Sequence, residues 1–405
     1  MVNGNGISAE NEGPLVGIKV VDLTRFQAGP TCTMILGDMG AEVIKVEEPG
    51  SGDHGRQNSP NIDGLSLYFA AFNRNKRSAT LNLKTEKGKE LLRGLVERAD
   101  VLVENYRPGV MARFGFSYEE VSKMSPGIVM VSSSGFGQTG PYAKRAAFDT
   151  VAQAMSGMMS VTGFDDRPGV RVGPAIADST AGFFGAMGAI LALYHKKCTG
   201  EGQLVDVSLL EGQLVLMAYT LMRQSVGSTM KRGGSNGAGA GPSAAFPTSD
   251  GKYVYVFAQD ANHFPRICAL MGTPELAENP RYASRAGRTE HRDELNEIVS
   301  KWTKTLTADA LEAILGEAEL AYGRVNELAD VLEDPQIQAR EMLVEVDHHG
   351  KGDLPLVGVF PKLSKSPGSI RMPCPLLGQH NEEIYCGILD VSKEEFAKLQ
   401  EEGVI

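Results

Sequence analysis

Short, continuously apolar runs alternate with helical patterns along the first two hundred residues. The runs that predict strands are Ile18–Leu23, Val43–Val46, Val101–Val103 and Ile128–Val131. Between two of them, Glu86–Ala99 places leucine and valine on one face of a helix. Continuously apolar strands separated by helices are typical of parallel pairing, with both faces of the sheet covered. The pattern therefore predicts an α/β fold.

The pattern changes after the middle of the chain. Three helices and one strand are predicted first, at Asp149–Met159, Ser179–Lys196, Leu210–Gln224 and Leu204–Ser208. A glycine-rich loop, Gly227–Gly241, follows them, and a region of shorter strands and helices begins at Lys252–Ala258. The change of composition at this loop indicates a second, smaller structural region.

Composition and charge exclude one large class of function. The chain has 405 residues, with 40 Lys and Arg against 50 Asp and Glu, so its formal net charge is −10. This acidic balance argues against a non-specific nucleic-acid binder, which needs a basic face. Glycine accounts for 47 of the 405 residues, which is more than the usual share of about 7%. These glycines indicate many tight turns or places where the backbone approaches something closely.

The cysteines and the apolar runs bear on the compartment. Five scattered cysteines show neither a CxxC pair nor the spacing of metal ligands, so we predict reduced thiols, no metal site and a cytoplasmic location. The first dozen residues lack the basic and apolar regions of a signal peptide. The longest nearly apolar run, Ala181–Tyr194, has 14 residues, fewer than the roughly 20 that a membrane span needs. We expect a buried helix there and no membrane contact.

Three segments carry candidate binding chemistry. Asn73–Arg77 (NRNKR) holds three cations and two amides, which suit either a phosphate clamp or a solvated turn. Glu104–Gly109 (ENYRPG) follows a predicted strand, at the end where open α/β sheets bind ligands. Gly50–Gly55 matches GxGxxG, but the loop sequence after it lacks the helix that a pyrophosphate needs. A dinucleotide site is therefore the weaker interpretation of this glycine motif.

Asp178 is the strongest single candidate for catalysis. It lies where the loop that begins at Gly173 meets a helix rich in glycine and alanine. The helix dipole and free backbone amides at such a position predict an ionised carboxylate with a lowered pKa. Position alone leaves two interpretations open, an N-cap residue or a nucleophilic aspartate.

Seven short segments carry a resemblance to a known family, and their order and spacing make the match specific. They are Leu15–Glu48, Asn73–Ser78, Val103–Phe116, Ser133–Tyr142, Asp149–Gly157, Ala177–Gly182 and Gly200–Gln213. Together they resemble the class III CoA-transferases, the family of formyl-CoA transferase and carnitine CoA-transferase. The resemblance covers nearly the whole chain.

The resemblance implies roles for individual residues. Asp178 matches the family's nucleophile, and the loop that lies along CoA matches Phe26, Gln27 and Ala28. The implied contacts to the phosphates and adenine of CoA are Asn75, Lys76, Asn105, Tyr106 and Arg113. Gly233 and Gly234 begin the loop, Gly233–Gly241, that closes over acyl intermediates in the family. Of these residues, we expect Asp178, Gln27, Gly233 and Gly234 to take part in catalysis.

The resemblance also implies an architecture. It predicts a Rossmann-like large domain with a smaller α+β domain inserted into it, in an interlocked dimer. The expected bounds are 1–225 for the first part of the large domain, 226–320 for the small domain with glycine loop 233–241 at its start, and 321–405 for the return segment. The dimer is expected to be a homodimer or a closely related heterodimer.

The implied reaction moves CoA from an acyl-CoA to a free carboxylic acid. It runs through an aspartyl anhydride and an aspartyl-CoA thioester, with CoA thioesters as substrates and no tightly bound cofactor. Arg25 lies beside the CoA loop and suits either a second substrate carboxylate or a structural role. Succinyl-CoA with a dicarboxylic acceptor is the expected pairing, and formyl-CoA with oxalate is the alternative.

Two positions depart from the family's pattern. Glu48 stands where the family often has a CoA-binding arginine, and Phe148 stands where it often has a tyrosine. In the related α-methylacyl-CoA racemases, a proton-transferring histidine falls at about Phe148. Phenylalanine carries no proton, so racemase chemistry is the weaker alternative. A non-catalytic subunit of a heteromeric transferase would lack the aspartate, which this chain has at Asp178.

Overall fold

The computed structural model describes residues 13–237 and 239–405. Its strands are β1 (Lys19–Asp22), β2 (Glu42–Glu47), β3 (Asn61–Ile62), β4 (Leu65–Ser66), β5 (Lys76–Thr80), β6 (Val101–Glu104), β7 (Val129–Ser134), β8 (Leu204–Ser208), β9 (Ser243–Pro247), β10 (Tyr253–Phe257), β11 (Ala321–Arg324), β12 (Leu343–Asp347) and β13 (Asp353–Val357).

Its helices lie between and beyond these strands. They are α1 (Ala28–Asp38), α2 (Leu67–Phe72), α3 (Glu86–Glu97), α4 (Val110–Phe114), α5 (Tyr118–Met124), α6 (Asp149–Met155), α7 (Met158–Val161), α8 (Ile176–Thr199), α9 (Leu209–Leu216), α10 (Ala218–Ser225), α11 (His263–Leu270), α12 (Arg285–Glu290), α13 (Arg292–Thr303), α14 (Ala308–Glu317), α15 (Leu328–Glu333), α16 (Pro335–Ala339), α17 (Asn381–Tyr385) and α18 (Lys393–Glu401).

A six-stranded sheet organises the first half of the chain. Its order is β5-β2-β1-β6-β7-β8, and every neighbouring pair is parallel. The strand order reverses between β1 and β6, as in Rossmann-like folds, where ligands bind beyond the carboxyl ends of the strands at such a reversal. The predicted α/β fold with a parallel sheet is confirmed. The loops that follow β1 and β6 are therefore the first place to look for a site.

Apolar side chains cover both faces of this sheet. On one face, strand residues such as Val21 and Leu102 pack with α3. On the other, Val20 and Val131 pack with α1 and α8. The alternate residues Val20 and Val21 of one strand thus enter different cores. This arrangement explains why the strands are apolar without interruption.

The small residues of α8 let it lie close to α1. A Cβ on Gly182 would come within 2.6 Å of Cβ of Thr31, and one on Gly185 within 3.3 Å of Sγ of Cys32. By length and composition alone, α8 also resembles a membrane span, but half of its apolar window is buried within the protein. Its contacts are those of a core helix.

The chain divides into two compact units. The large unit contains the described residues up to Met158, Arg171–Leu221 and Gln336–Ile405, and the small unit contains Met159–Val170 and Met222–Pro335. The segment Met159–Val170 and the residues from 321 to 335 thus fall outside the bounds expected for the small domain. Within the small unit, the antiparallel sheet β11-β10-β9 shares a core with the helices α11, α13 and α14.

Candidate functional site

Two cavities open at the carboxyl ends of the parallel strands in the large unit. The first, the Asp178 cavity, has a volume of about 190 Å³, and Phe26, Gln27, Asn105, Arg145, Phe148 and Asp178 are among its lining residues. The second, the Arg25 cavity, has a volume of about 280 Å³, and Arg25, Glu48, Lys84 and Phe114 are among those that line it. Tyr106 lines both cavities. The loops after β1 and β6 therefore line both cavities, at the point where the strand order reverses.

Asp178 is the third residue of α8, so it is not the N-cap. The N-cap is Ala175, whose side chain makes no capping bond. A carboxylate from another helix takes that role, because Oδ1 of Asp149 accepts the backbone N–H of Ala177 at 2.7 Å and that of Asp178 at 3.4 Å. Gln153 holds Asp149 in turn, donating to its Oδ2 at 2.7 Å. The capping interpretation of Asp178 is thus wrong, and its side chain is left facing the cavity.

The environment of Asp178 raises its pKa. Burial is the larger cause and the negative charge of Asp149 the second, and together they raise the pKa of Asp178 to about 7. The lowered pKa that the sequence predicted is therefore wrong. Burial opposes ionisation of a carboxyl group, and a nearby like charge opposes it further. Here these effects outweigh the attraction of the helix N-terminus.

The loop between β1 and α1 carries the next three predicted residues. Phe26 has a left-handed backbone with φ of 63°, and its N–H donates to Oδ1 of Asp53 at 3.0 Å. Nε2 of Gln27 donates to Oγ of Ser179 at 3.0 Å, so this side chain is tied to the first turn of α8. Ala28 is buried as the first residue of α1 and lines the cavity. All three lie beside Asp178.

Asn105 joins the two loops that frame the site. Its Oδ1 accepts the N–H of Arg25 at 2.8 Å, and its Nδ2 donates to the carbonyl oxygen of Arg25 at 2.7 Å. The Arg25 guanidinium stacks over the ring of Tyr106, with Cζ 4.9 Å from the ring centroid. Arg25 therefore lines the Arg25 cavity and not the Asp178 cavity. Its predicted pairing with a second substrate carboxylate loses its geometric basis.

Asn75 and Lys76 lie in the interior of the large unit, each 1% exposed. Nζ of Lys76 is 3.1 Å from Oδ2 of Asp22 and 2.9 Å from Oδ1 of Asn73. Both polar atoms of the Asn75 side chain have internal partners, including Oδ1 of Asp38 and the backbone N–H of Arg371. Both side chains therefore have structural partners, and their contact with CoA stays a prediction. The alternative of a solvated turn is wrong for these two residues, because both side chains are buried.

The remaining predicted CoA contact and one family departure lie near the Arg25 cavity. Arg113 is exposed in the last turn of α4, next to Phe114, which lines that cavity. Glu48 lines it as well, and its Oε1 is 2.7 Å from Nζ of Lys84. A lysine thus accompanies the acidic side chain at the position where the family often has an arginine.

Gly233 and Gly234 belong to the small unit. Gly233 forms a bridge to Phe164, and the N–H of Gly234 donates to the carbonyl oxygen of Gly163 at 2.9 Å. Gly234 has φ of 59°, and a Cβ there would come within 2.4 Å of the Phe164 ring. Glycine is thus required locally for two reasons. Ala238, within the predicted loop Gly233–Gly241, lies outside the described residues.

The sequence predictions did not include three residues of this site. Asp149 holds the first turn of α8, and Arg107 and Arg145 line the cavity. Asp149 begins α6. The only sequence feature that could have indicated it is the acidic residue in the segment AAFDTVAQ.

Arg107 belongs to the segment Glu104–Gly109, which the sequence placed at the ligand-binding end of the sheet without giving this side chain a role. Nothing in the local pattern of Arg145 predicted its position. Phe148 also lines the cavity and is 64% exposed. Among the described residues that line this cavity, Asp178 is the one carboxylate, and there is no histidine.

Comparison with known proteins gives many similar curated sequences, and three of them show the range of named activities. The succinyl-CoA–D-citramalate CoA-transferase of Chloroflexus aurantiacus is 39% identical over 97% of this chain and 98% of its own length. The formyl-CoA:oxalate CoA-transferase of Streptomyces coelicolor is 38% identical, over 96% and 99%. The human succinyl-CoA:glutarate CoA-transferase is 38% identical, over 98% and 90%.

Solved structures and a family model agree with these sequences. The crystal structure of a CaiB/BaiF family protein from Brucella suis has a TM-score of 0.84 and 34% identity, covering 93% of this chain and 100% of that one. A Mycobacterium tuberculosis structure has a TM-score of 0.83 and 28% identity, covering 92% and 99%. The model of CoA-transferase family III matches residues 15–381. The chain therefore belongs to CoA-transferase family III and is a CoA-transferase.

Proposed function

We propose that the enzyme moves CoA from an acyl-CoA to a free carboxylic acid, with Asp178 as the covalent nucleophile. The Asp178 carboxylate attacks the donor thioester, which forms a mixed anhydride and releases the CoA thiolate. The thiolate then attacks the aspartyl carbonyl carbon, which forms the aspartyl-CoA thioester and releases the first acid. Each step exchanges one acyl bond for another, so no proton or electron is left over.

The second acid reverses these two steps. Its carboxylate attacks the aspartyl thioester, which gives a new anhydride and frees the thiolate again. Attack of the thiolate on the carbonyl carbon of the new acid produces the second acyl-CoA and restores Asp178. A thiolate and a carboxylate leave in turn, so the enzyme must hold CoA throughout, because orientation supplies much of the rate.

The observation that best supports this function is the position of Asp178 in a small cavity beside a larger one. About 190 Å³ around Asp178 suits a small acid, and the adjacent Arg25 cavity of about 280 Å³ suits part of CoA. Tyr106 lies between them as a shared wall. We assign the Arg25 cavity to the nucleotide side of CoA, with Arg25 and Lys84 as its cations. Arg113 lies next to this cavity and remains a proposed contact.

For substrates, we propose succinyl-CoA as donor and a short dicarboxylic acid as acceptor. The relatives named above use succinyl-CoA with citramalate or glutarate, or formyl-CoA with oxalate. Every one of these acceptors is a dicarboxylic acid. A cavity that presents two arginines, Arg107 and Arg145, beside Asp178 suits an acid with a second negative charge.

We further propose a cytoplasmic dimer of two such chains, with no nucleic acid or membrane as partner and no tightly bound cofactor. The support for the dimer is an exposed apolar stripe on α8, formed by Phe183, Met187, Leu191 and Tyr194, each between 51% and 69% exposed. Exposed apolar patches of this kind mark association surfaces more often than free surface. We also propose that Gly233 and Gly234 take part in catalysis, as the family resemblance implies.

Trapping the covalent intermediate tests the mechanism. The wild-type enzyme is incubated with succinyl-CoA, quenched with hydroxylamine or borohydride, and digested for peptide mass mapping. We expect a modified peptide whose altered residue is Asp178, together with glutaryl-CoA when glutarate is added. Asp178→Asn should lose both signals, and Asp63→Asn, at an exposed aspartate of the same unit, should keep both.

The opposing result is equally specific. If the enzyme exchanges the α-hydrogen of an acyl-CoA with solvent deuterium and moves no CoA, the proposed transfer is wrong and racemase chemistry takes its place. If the modified residue is not Asp178, the proposed CoA transfer stands, but Asp178 is not its nucleophile.

A further inference from the structure

Arg145 lines the Asp178 cavity and is held by aromatic rings instead of acids. Its Cζ lies 4.9 Å from the ring centroid of Tyr142 and 5.6 Å from that of Phe136. Its backbone N–H donates to the carbonyl oxygen of Tyr142 at 2.8 Å. Stacking occupies the faces of a guanidinium and leaves the N–H groups at its edge available. The two rings thus hold Arg145, and no group in the described part of the chain accepts a hydrogen bond from its guanidinium.

No acidic side chain among residues 13–237 and 239–405 forms an ion pair with Arg145. Other arginines of the same unit are used differently. Arg56 and Arg74 are paired with Glu47 and Asp38, each at 2.7 Å. An exposed guanidinium that lines a small cavity and lacks a carboxylate partner can bind the carboxylate of a ligand, donating two parallel hydrogen bonds to it.

The charges around the cavity favour a dicarboxylic ligand. Its charged lining residues are Asp178, Arg107 and Arg145, so one anion faces two cations. Arg107 follows Tyr106 directly, on the loop between the two cavities. Arg145 lies on the segment between β7 and α6, which also contributes Phe148. Arg107 thus adjoins Tyr106, the wall shared with the cavity that we assign to CoA, whereas the segment that carries Arg145 contributes no residue to that cavity.

We propose that Arg145 binds the distal carboxylate of the acyl group that is being transferred at Asp178. This inference rests on the proposed function, because it assumes that acids react at Asp178. Donor and acceptor acids bond to the same carboxylate in turn, so one fixed cation serves both. Arg145 thereby selects dicarboxylic over monocarboxylic acids in both half-reactions. The sequence had suggested Arg25 for this role.

Acceptor and donor pairs that differ only in the distal charge test this role. We compare glutarate with butyrate as acceptors, and succinyl-CoA with butyryl-CoA as donors, in wild type, Arg145→Gln and Arg145→Lys. A charge-assisted hydrogen-bonded pair predicts that Arg145→Gln lowers kcat/KM for glutarate and succinyl-CoA by about 10- to 100-fold. The values for butyrate and butyryl-CoA should change less than about threefold. Arg145→Lys should retain part of the preference, since it keeps the charge but not the fork.

Lys144→Gln is the matched control. It removes one positive charge from the adjacent exposed position, and Lys144 does not line the cavity. Its ratio of glutarate to butyrate activity should equal that of wild type. This ratio is insensitive to the fraction of folded enzyme, because misfolding lowers both values together.

Two further results separate the inference from the function beneath it. Equal losses for glutarate and butyrate in Arg145→Gln, or a raised KM for both CoA thioesters, would overturn the role of Arg145 while CoA transfer stands. Absence of CoA transfer by the wild-type enzyme with all four substrates would instead overturn the proposed substrates.

Discussion

Asp178 and Asp149 form an acidic pair in which each carboxylate has a different task. Asp149 is buried and caps the first turn of α8, whereas Asp178 lines a cavity. A raised pKa makes the ionised form of Asp178 a stronger base, and a stronger base is a better nucleophile. The same shift keeps part of the enzyme protonated near neutral pH. With Asp178 as the proposed nucleophile, we expect the pair to tie the rate of CoA transfer to pH.

The pH dependence of transfer follows from this pair. With the pKa of Asp178 at about 7, the ionised form of this proposed nucleophile is lost as pH falls through 7. We expect kcat/KM to drop about tenfold per pH unit below that value and to be level above it. Asp149→Asn removes the repelling charge while its amide oxygen still caps α8, so the pKa of Asp178 should fall and the acid limb should move to lower pH. Rates between pH 5 and 9 in constant ionic strength measure both profiles.

An unchanged acid limb in Asp149→Asn would show that burial alone sets the pKa of Asp178. Circular dichroism of the variant is the control, because a lost cap costs about 0.5–2 kcal/mol and would unwind the start of the helix. Sequence reasoning placed Asp178 at the helix start but gave its pKa the wrong direction. Asp149 lies 29 positions earlier in the chain, and no local pattern reports that contact.

At the scale of elements, a buried polar network supports the loop between β1 and α1. Asp22, at the end of β1, accepts hydrogen bonds from Oγ1 of Thr24 and Oγ1 of Thr33 at 2.5 and 2.7 Å. Nζ of Lys76 is 3.1 Å from Asp22, and Nζ of Lys45 donates to the carbonyl oxygen of Thr24 at 2.8 Å. The loop that carries Phe26 and Gln27 therefore rests on buried charges from three strands.

These charges keep Asp22 ionised. Burial by itself would raise the pKa of Asp22, but Lys76 first and then Lys45, with the hydroxyl groups of Thr24 and Thr33, lower it to about 2. A carboxyl with a lowered pKa stabilises the fold above its unfolded pKa, and this contribution is lost as pH falls through the folded value. For Asp22 the loss falls between about pH 4 and pH 2.

Removal of Lys76 tests the structural role given to it. Lys76→Met leaves the charge of Asp22 buried with fewer partners, so we expect the free energy of unfolding to fall by about 3–5 kcal/mol. Urea denaturation followed by circular dichroism measures the change. The double variant Asp22→Asn, Lys76→Met removes the stranded charge and should recover part of the loss.

The outcome also separates this role from the CoA contact that the family resemblance implied. If Lys76 bound a CoA phosphate, Lys76→Met would raise KM for acyl-CoA with little change in stability. Arg93→Met, at an exposed cation of α3, serves as the control for loss of a positive charge. We expect it to change the free energy of unfolding by less than about 0.5 kcal/mol.

The elements themselves followed closely from the pattern. Strand Leu204–Ser208 was predicted with the bounds it has as β8, and Glu86–Ala99 became α3 with two residues fewer. The long helix expected at Leu210–Gln224 is divided at Met217 into α9 and α10. The predicted single helix missed this break, although α9 is more apolar than α10.

At the scale of the whole molecule, the exposed apolar residues of the large unit include a stripe on α8. The helices that follow α8 also expose apolar residues, with Val215 and Leu216 in α9 at 59% and 51%, and Tyr219 in α10 at 70%. Large apolar side chains at this exposure are costly in water, so an association that covers them is favoured. This is the surface that we assign to the second chain of the proposed dimer.

Charge placed on the stripe should separate the chains. We expect the wild-type protein to have twice the 43.4 kDa mass of one chain in light scattering coupled to gel filtration. Met187→Glu with Leu191→Glu should shift it toward the monomer mass, because two buried charges per chain have no partner in an apolar interface. Leu328→Glu, at a residue 85% exposed in the small unit, should leave the mass unchanged. A wild-type monomer, or a double variant that stays dimeric, would show that this surface is not the interface.

The sequence by itself determined the α/β class, the parallel sheet, the glycine-rich loop and the family, because each depends on the order of residues and on short-range periodicity. It also singled out Asp178 and the loop Phe26–Ala28. These features can be read along the chain, since the side chains concerned follow one another in it.

Only the tertiary structure decided which charged groups are buried and which face a cavity. Lys76 lies inside with Asp22, Arg25 stacks on Tyr106, and Arg145 lines the cavity of Asp178. Each assignment depends on a contact between residues that are far apart in sequence, and burial follows from the packing of whole elements. The same lysine or arginine in a short motif can therefore be a ligand contact or a structural residue, and folding settles which.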